Sequence, residues 1–214
     1  MASLDAWVLW VHVAAGTVAV LAGVGALVTK KGGLRHRRAG RAFVGSMAVV
    51  DGTVFVLLVI DPTTLRVVLS LVAVFSGYLA FSGYRVLSRK RQPATAHRLD
   101  VAAAGCVVLA CLALGVWGLT WVVGGTALGA VLLVFGGIGL AFGTMDLRRF
   151  RRDGVDEWKV SHLQRMVAAF VSTVSAVSAV NLAPLLGVAA WLWPTVLGTP
   201  LIYHWSKRHD TSNP

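Results

Sequence analysis

The stretch that decides the fold is Leu99 to Met145, LDVAAAGCVVLACLALGVWGLTWVVGGTALGAVLLVFGGIGLAFGTM. No charged residue stands between Asp100 and Asp146. A helix rises about 1.5 Å per residue, so about 20 apolar residues cross a hydrocarbon core of roughly 30 Å. This run is more than twice that length, too long for a single crossing even with tilt. Gly124-Gly125 offers a place to turn, and the run reads as two crossings joined there.

Cutting the rest of the chain by the same rule predicts seven spans: Ala6 to Thr29, Ala42 to Ile60, Arg66 to Leu87, Leu99 to Val123, Thr126 to Met145, Ser161 to Leu182 and Leu185 to Trp205. A second tight turn is expected at Ala183-Pro184, where the chain again exceeds one crossing. The 214 residues are 57% hydrophobic and 14% charged, against roughly a quarter charged in a soluble domain. Mean hydropathy is +0.74. That balance excludes a disordered chain, a secreted disulfide scaffold and a soluble enzyme. The expected fold class is all-α: a polytopic membrane helical bundle forming one domain over residues 1–214, in a plasma or inner membrane.

Orientation follows from the basic residues, because short loops rich in Lys and Arg stay cytoplasmic. Lys30, Lys31, Arg35, Arg37, Arg38 and Arg41 fall in the first loop, Arg85, Arg89, Lys90, Arg91 and Arg98 in the third, and Arg148, Arg149, Arg151, Arg152 and Lys159 in the fifth. Arg165 lies just beyond that fifth loop. The alternate loops carry almost nothing positive except Arg66. The N-terminus is therefore expected outside and the C-terminus in the cytoplasm. Trp7, Trp10, Trp117, Trp121, Trp191 and Trp193 fall at the outer ends of these spans, and Trp158 and Trp205 at the inner ends, the headgroup levels that indoles favour. The net charge of +11 then belongs to loops that meet anionic lipid headgroups, and nucleic acid is excluded as a partner. Met1 to Asp5 lacks a positive leader and precedes a full-length span, so the first helix is expected to be retained.

His36, His97 and His162 stand at the starts of three spans running from the cytoplasmic side, 61 and 65 residues apart. The repeat suggests three helical hairpins followed by a lone seventh helix. Bundled at one depth, the three imidazoles, with Asp100 one turn beyond His97, form a donor set for zinc or another divalent ion. Two of them on facing helices would equally suit a haem b iron, with arginines on its propionates. The bland alternative is a set of interfacial histidines beside arginines, and a further one is proton transfer by these imidazoles. A deeper group comprises His12 and Asp51, with Ser178 and Asn181 at a similar level. An unpaired carboxylate in the membrane costs about 2.5 to 3.5 kcal/mol on insertion scales, and His12 is the expected partner of Asp51. The pair reads either as a proton relay or small-solute site, or as a structural hydrogen bond between helices.

Small residues permit close helix contact in lipid. Ala15, Ala19 and Gly23 form such a ridge, as do Gly125/Gly129 and Gly139/Gly143, and the density of Ala, Ser and Thr in the sixth span marks it as central. Cys106 and Cys111 point apart on one helix, cannot bond to each other, and read as small buried residues. No metalloprotease, P-loop or serine-hydrolase motif is present, and no lysine lies in the seventh span. Whether the chain is an enzyme stays open, beside a transporter or a non-catalytic scaffold; the open partners are a small ligand or ion and further copies of the chain.

His12-x-x-x-Gly16, His36-Arg37-x-x-Gly40-Arg41, Phe81-Ser82-Gly83-Tyr84-Arg85, His162 through Arg165-Met166 to Val180-Asn181, and Trp191-x-x-Pro194-Thr195-x-x-Gly198-x-Pro200 together resemble a family of prokaryotic membrane proteins catalogued as a domain of unknown function. The likeness covers nearly the whole chain and implies a compact helical membrane protein without an assigned activity. Ala168-Ala169-Phe170 departs from the pattern in the register of its aromatic. The H-R-x-x-G-R segment is also similar to membrane cytochromes and ferric reductases, whose helices present histidines to haem.

Overall fold

A computed structural model describes residues 2–90, 97–151 and 158–209. The described residues form seven α-helices and no strand: α1 (Ala2–Val28), α2 (Leu34–Ile60), α3 (Thr64–Arg85), α4 (Arg98–Val123), α5 (Leu128–Phe150), α6 (Trp158–Leu186) and α7 (Ala189–His209), with a 3-10 segment, Val86–Lys90, after α3. Of the loop charges named above, Arg91 and Arg152 lie outside the described residues, as do the side chains of Arg89 and Lys90. Helices α1 to α6 are each long and apolar enough to cross a membrane. Helix α7, which contains Pro194 and Pro200 and ends in Ser206, Lys207, Arg208 and His209, is less apolar and falls short of that measure.

The helices overrun the apolar spans at their polar ends. α2 begins at Leu34 rather than Ala42, and α6 at Trp158 rather than Ser161. Arg37, Arg38, Arg41 and Arg98, expected in loops, are therefore helical residues, as is Arg165 just beyond the fifth loop. Continuing the helix satisfies backbone groups that a loop near hydrocarbon would leave open.

The chain divides into two compact units, Met1–Ala73 and Val74–Pro214. In the first, α1 and α2 pack as a hairpin, with Ala19 and Gly23 of the expected ridge buried. Gly32, at φ 75°, makes the reversal. The last carbonyls of α1 are capped by side chains: Lys31 Nζ donates to Ala26 O (3.1 Å) and Leu27 O (2.6 Å), the favourable end of a helix for a cation. Arg66, the exception to the charge alternation, bridges three segments. It pairs with Asp5 (2.9 Å) and Asp61 (3.6 Å) and donates to Leu57 O (2.8 Å) at the end of α2.

In the second unit the closest pairs are α4 with α5 and α6 with α7, so the seventh helix is not the lone one. The Gly124-Gly125 turn forms as expected. Gly125 at φ 79° is followed by Thr126, whose N–H reaches Trp121 O (2.8 Å), while Gly125 N–H reaches Val122 O (3.0 Å). Those two bonds are the Schellman pattern that closes a helix on a left-handed residue. Below the turn, small residues recur every seven positions on both helices: Ala104, Cys111 and Gly118 on α4, and Gly129, Gly136 and Gly143 on α5. A methyl group on Gly129 would stand 2.6 Å from Gly118 O and 2.7 Å from Val122 N, so the backbones meet directly there. Cys111 is buried in this seam, whereas Cys106 faces outward, contrary to the expectation that both are buried. A separation of five residues turns about 140° around a helix, which puts one thiol in and the other out.

The second turn does not fall at Ala183-Pro184. α6 continues through Pro184 and ends at Leu186; Gly187, at φ 53°, donates to Ala183 O (2.8 Å) and turns the chain. Proline removes one helical hydrogen bond and bends a helix without having to end it, while glycine supplies the left-handed residue that does. α7 then returns along α6: Trp193 Nε1 donates to Ser178 Oγ (2.7 Å) near one end, and Gln164 Nε2 to Ser206 Oγ (3.2 Å) near the other.

Candidate functional site

Within the second unit, the C-terminal ends of α3 and α5 and the N-terminal ends of α4 and α6 supply one polar cluster. Asp146, on α5, is 2% exposed, and Arg165, on α6, is 6% exposed. Arg165 Nη2 is ion-paired with Asp146 Oδ1, and Tyr78 OH on α3 donates to Asp146 Oδ2. The carboxylate thus accepts from two other helices. A second pair joins α3 to α4: Arg85 Nε donates to Asp100 Oδ1 (2.8 Å) and Nη2 to Oδ2 (3.2 Å), the two-pronged geometry that suits guanidinium and carboxylate. Tyr78 and Arg85 share a face of α3 because they stand seven residues, nearly two turns, apart.

Both pairs border one small cleft, lined also by Phe81, Ser82, Val86 and Phe150. Its enclosed part is about the size of one water molecule. Depth increases from Arg85, a third exposed, to Asp146. Arg165 Nε is buried with no hydrogen-bond partner among the described residues. The packing that holds Arg165 in place is tight: a methyl on Gly83 would meet Arg165 Cβ and Met166 Sδ, each at 3.0 Å. Chemically, the cluster is a neutral arrangement of two arginines and two aspartates in which one buried donor, the Arg165 Nε–H, has no acceptor among the described residues.

The three histidines each hold backbone. His36 Nδ1 lies 3.0 Å from Ala26 O and must donate to it, closing the end of α1. His162 Nδ1 donates likewise to Gly83 O on α3 (2.8 Å). His97 is the N-cap of α4, its Nδ1 accepting from Leu99 N–H (3.2 Å). A neutral imidazole that accepts at Nδ1 carries its proton on Nε2, so neither nitrogen of His97 has a lone pair left for a metal. Asp100, the expected fourth ligand, is bound by Arg85. Among the described residues no group of three or more His, Cys, Asp or Glu side chains is arranged to hold a metal ion. The geometry thus gives the zinc and haem readings no support.

The deeper group is also rearranged. In the first unit His12 Nδ1 bonds Thr53 Oγ1 (2.9 Å) rather than Asp51. Thr53 is within reach of Val49 O and Val50 O, so its hydroxyl donates there and accepts from the histidine. Asp51 Oδ1 is buried with no hydrogen-bond partner among the described residues. In the second unit Ser178 accepts from Trp193, and Asn181, which is exposed, donates to Val177 O of its own helix.

Three residues of the cleft escaped the sequence reading. Asp146 falls just beyond the expected fifth span, Arg85 reads as a topological charge, and Tyr78 carries no signal of its own. The available clue is the scarcity of acids. Asp100 and Asp146 stand at the two ends of a long uncharged stretch, each beside arginines, and a carboxylate in such a setting finds one. Comparisons of the chain with protein-family models, with curated proteins and with solved structures find no match.

Proposed function

We propose that this multi-pass membrane protein moves protons, or a small polar solute together with a proton, and that Asp51 is the group that takes the proton up and gives it away. The observation that carries this reading is the buried Asp51 Oδ1, which has no hydrogen-bond partner among the described residues although it stands well inside an apolar helix. Ionisable groups within membrane spans are expensive and are kept where they serve passage of a proton, ion or solute. His12, hydrogen-bonded to Thr53 two residues from Asp51, is another titratable side chain of the same helical hairpin. The topology that goes with the reading is seven crossings of a plasma or inner membrane, N-terminus outside and C-terminus cytoplasmic. The hydrogen bonds of α7 to α6 at Ser178 and Gln164, and the mostly one-sided distribution of loop charges, support it.

The test is proton flux into liposomes holding the purified protein, followed with a trapped pH-sensitive dye. Asp51→Asn abolishes the flux while the protein elutes as the folded species. An undiminished flux in that variant, or no flux with the unaltered chain across the solutes tried, overturns the reading.

A further inference from the structure

The arginine–aspartate cleft has a use that proton movement through Asp51 does not absorb. Arg165 is more than nine-tenths buried and lines the cleft, with its Nε–H unpartnered among the described residues. A buried cationic donor without an acceptor is costly, and an acceptor entering from outside removes that cost. The enclosed space is about the size of one water molecule. The charge of the surroundings selects the sign of the visitor. The sequence from Arg85 to Arg165 carries eleven Lys and Arg against five Asp and Glu, and two of those acids, Asp100 and Asp146, line the cleft. Both carboxylates are held by arginines or a tyrosine that donate to them, which leaves the excess of positive charge for an incoming group.

We propose that this cleft is a binding site for one phosphate group, which inserts a single oxygen to accept the Arg165 Nε–H while its other oxygens remain at the mouth beside Arg85. Phosphate carries oxygens on a tetrahedral centre, so one oxygen enters a water-sized space without the whole anion having to fit. Arg165 stays paired with Asp146 through Nη2 and bridges the carboxylate to the phosphate. Arg85, held against Asp100 and stacked 5.9 Å from the Phe81 ring, presents its outward face to the remaining oxygens. The phosphate comes either from a lipid headgroup or from solution, and the chemistry of recognition is the same.

The experiment uses the full chain in two kinds of nanodisc. In phosphatidylcholine discs, radiolabelled inorganic phosphate is titrated and bound counts are read. In discs with a minority of phosphatidylglycerol, native mass spectrometry reads the lipid that stays with the ejected protein. Retention of phosphatidylglycerol without uptake of inorganic phosphate assigns the site to a headgroup; uptake in the first discs assigns it to the free anion. Arg165→Lys keeps a charge for Asp146 but removes the Nε–H, and Ser82→Phe fills the cleft from the α3 side. Each weakens binding by at least about tenfold, the scale of a hydrogen bond to a charged group, while Arg208→Gln on α7 does not. Absence of both ligands from the unaltered protein, or wild-type binding by either variant, overturns the proposal. If Arg165→Lys fails to fold, Ser82→Phe decides alone.

Discussion

Arg165 and Asp146 meet between α6 and α5, each less than a tenth exposed, and Tyr78 from α3 reaches the same carboxylate. Three helices thus converge on one acid. Removing either charge strands the other in a low-dielectric setting, which costs about 3–5 kcal/mol, whereas removing both costs far less. Asp146→Asn and Arg165→Gln should each lower the unfolding midpoint in detergent severely. The double variant should recover a large part of the loss. Strict additivity of the two would show that the pair is not coupled.

Tyr78→Phe deletes only the hydroxyl that donates to Asp146 Oδ2. The carboxylate keeps its arginine, so the expected cost is about 1–3 kcal/mol, below that of Asp146→Asn. The same denaturation measurement ranks the two, and a tyrosine variant worse than the aspartate variant would show that the hydroxyl matters more to the cluster than the carboxylate.

The seam of α4 and α5 makes a sharper steric prediction. Gly129→Ala places a methyl against the backbone of α4, whereas Gly137→Ala on the same helix meets nothing within 4 Å. The first should destabilise by about 1–3 kcal/mol through overpacking. The second should be neutral or slightly stabilising, since alanine favours helix over glycine by up to about 1 kcal/mol. Equal effects at the two positions would mean that the helices do not approach at Gly129.

The position of the turn before α7 is testable by opposite signs. Gly187→Ala forces a side chain into the left-handed region and should cost about 1 kcal/mol. Pro184→Ala restores a helical N–H donor for Val180 O and should cost nothing or stabilise. If the turn stood at Pro184, the proline variant would be the damaging one.

Much of the fold was legible because lipid imposes a length. The uncharged run from Val101 to Met145 demanded two crossings, and the Gly-Gly step within it fell where the chain turns. The seven-residue seam is not legible, because the sequence also offers glycines four apart, and a pattern of small residues does not say which periodicity the partner helix uses. The histidines were legible as a spaced set but not in their role. Capping depends on where a helix begins, and α2 began eight residues earlier than its apolar span. The cleft was illegible for the same reason. Asp146 lies within α5, four residues before its end, rather than in a loop, and only the close approach of α6 at Gly83 and Met166 brings Arg165 to it.

The Schellman turn at Gly125 also bears on how the protein enters its membrane. From Val101 to Met145 nothing charged has to be hauled through the bilayer, and the connection is only Gly124 to Ala127. A nascent chain can therefore release α4 and α5 sideways from the translocation channel as a single preassembled wedge, with its glycine seam zipped before α6 and α7 are made.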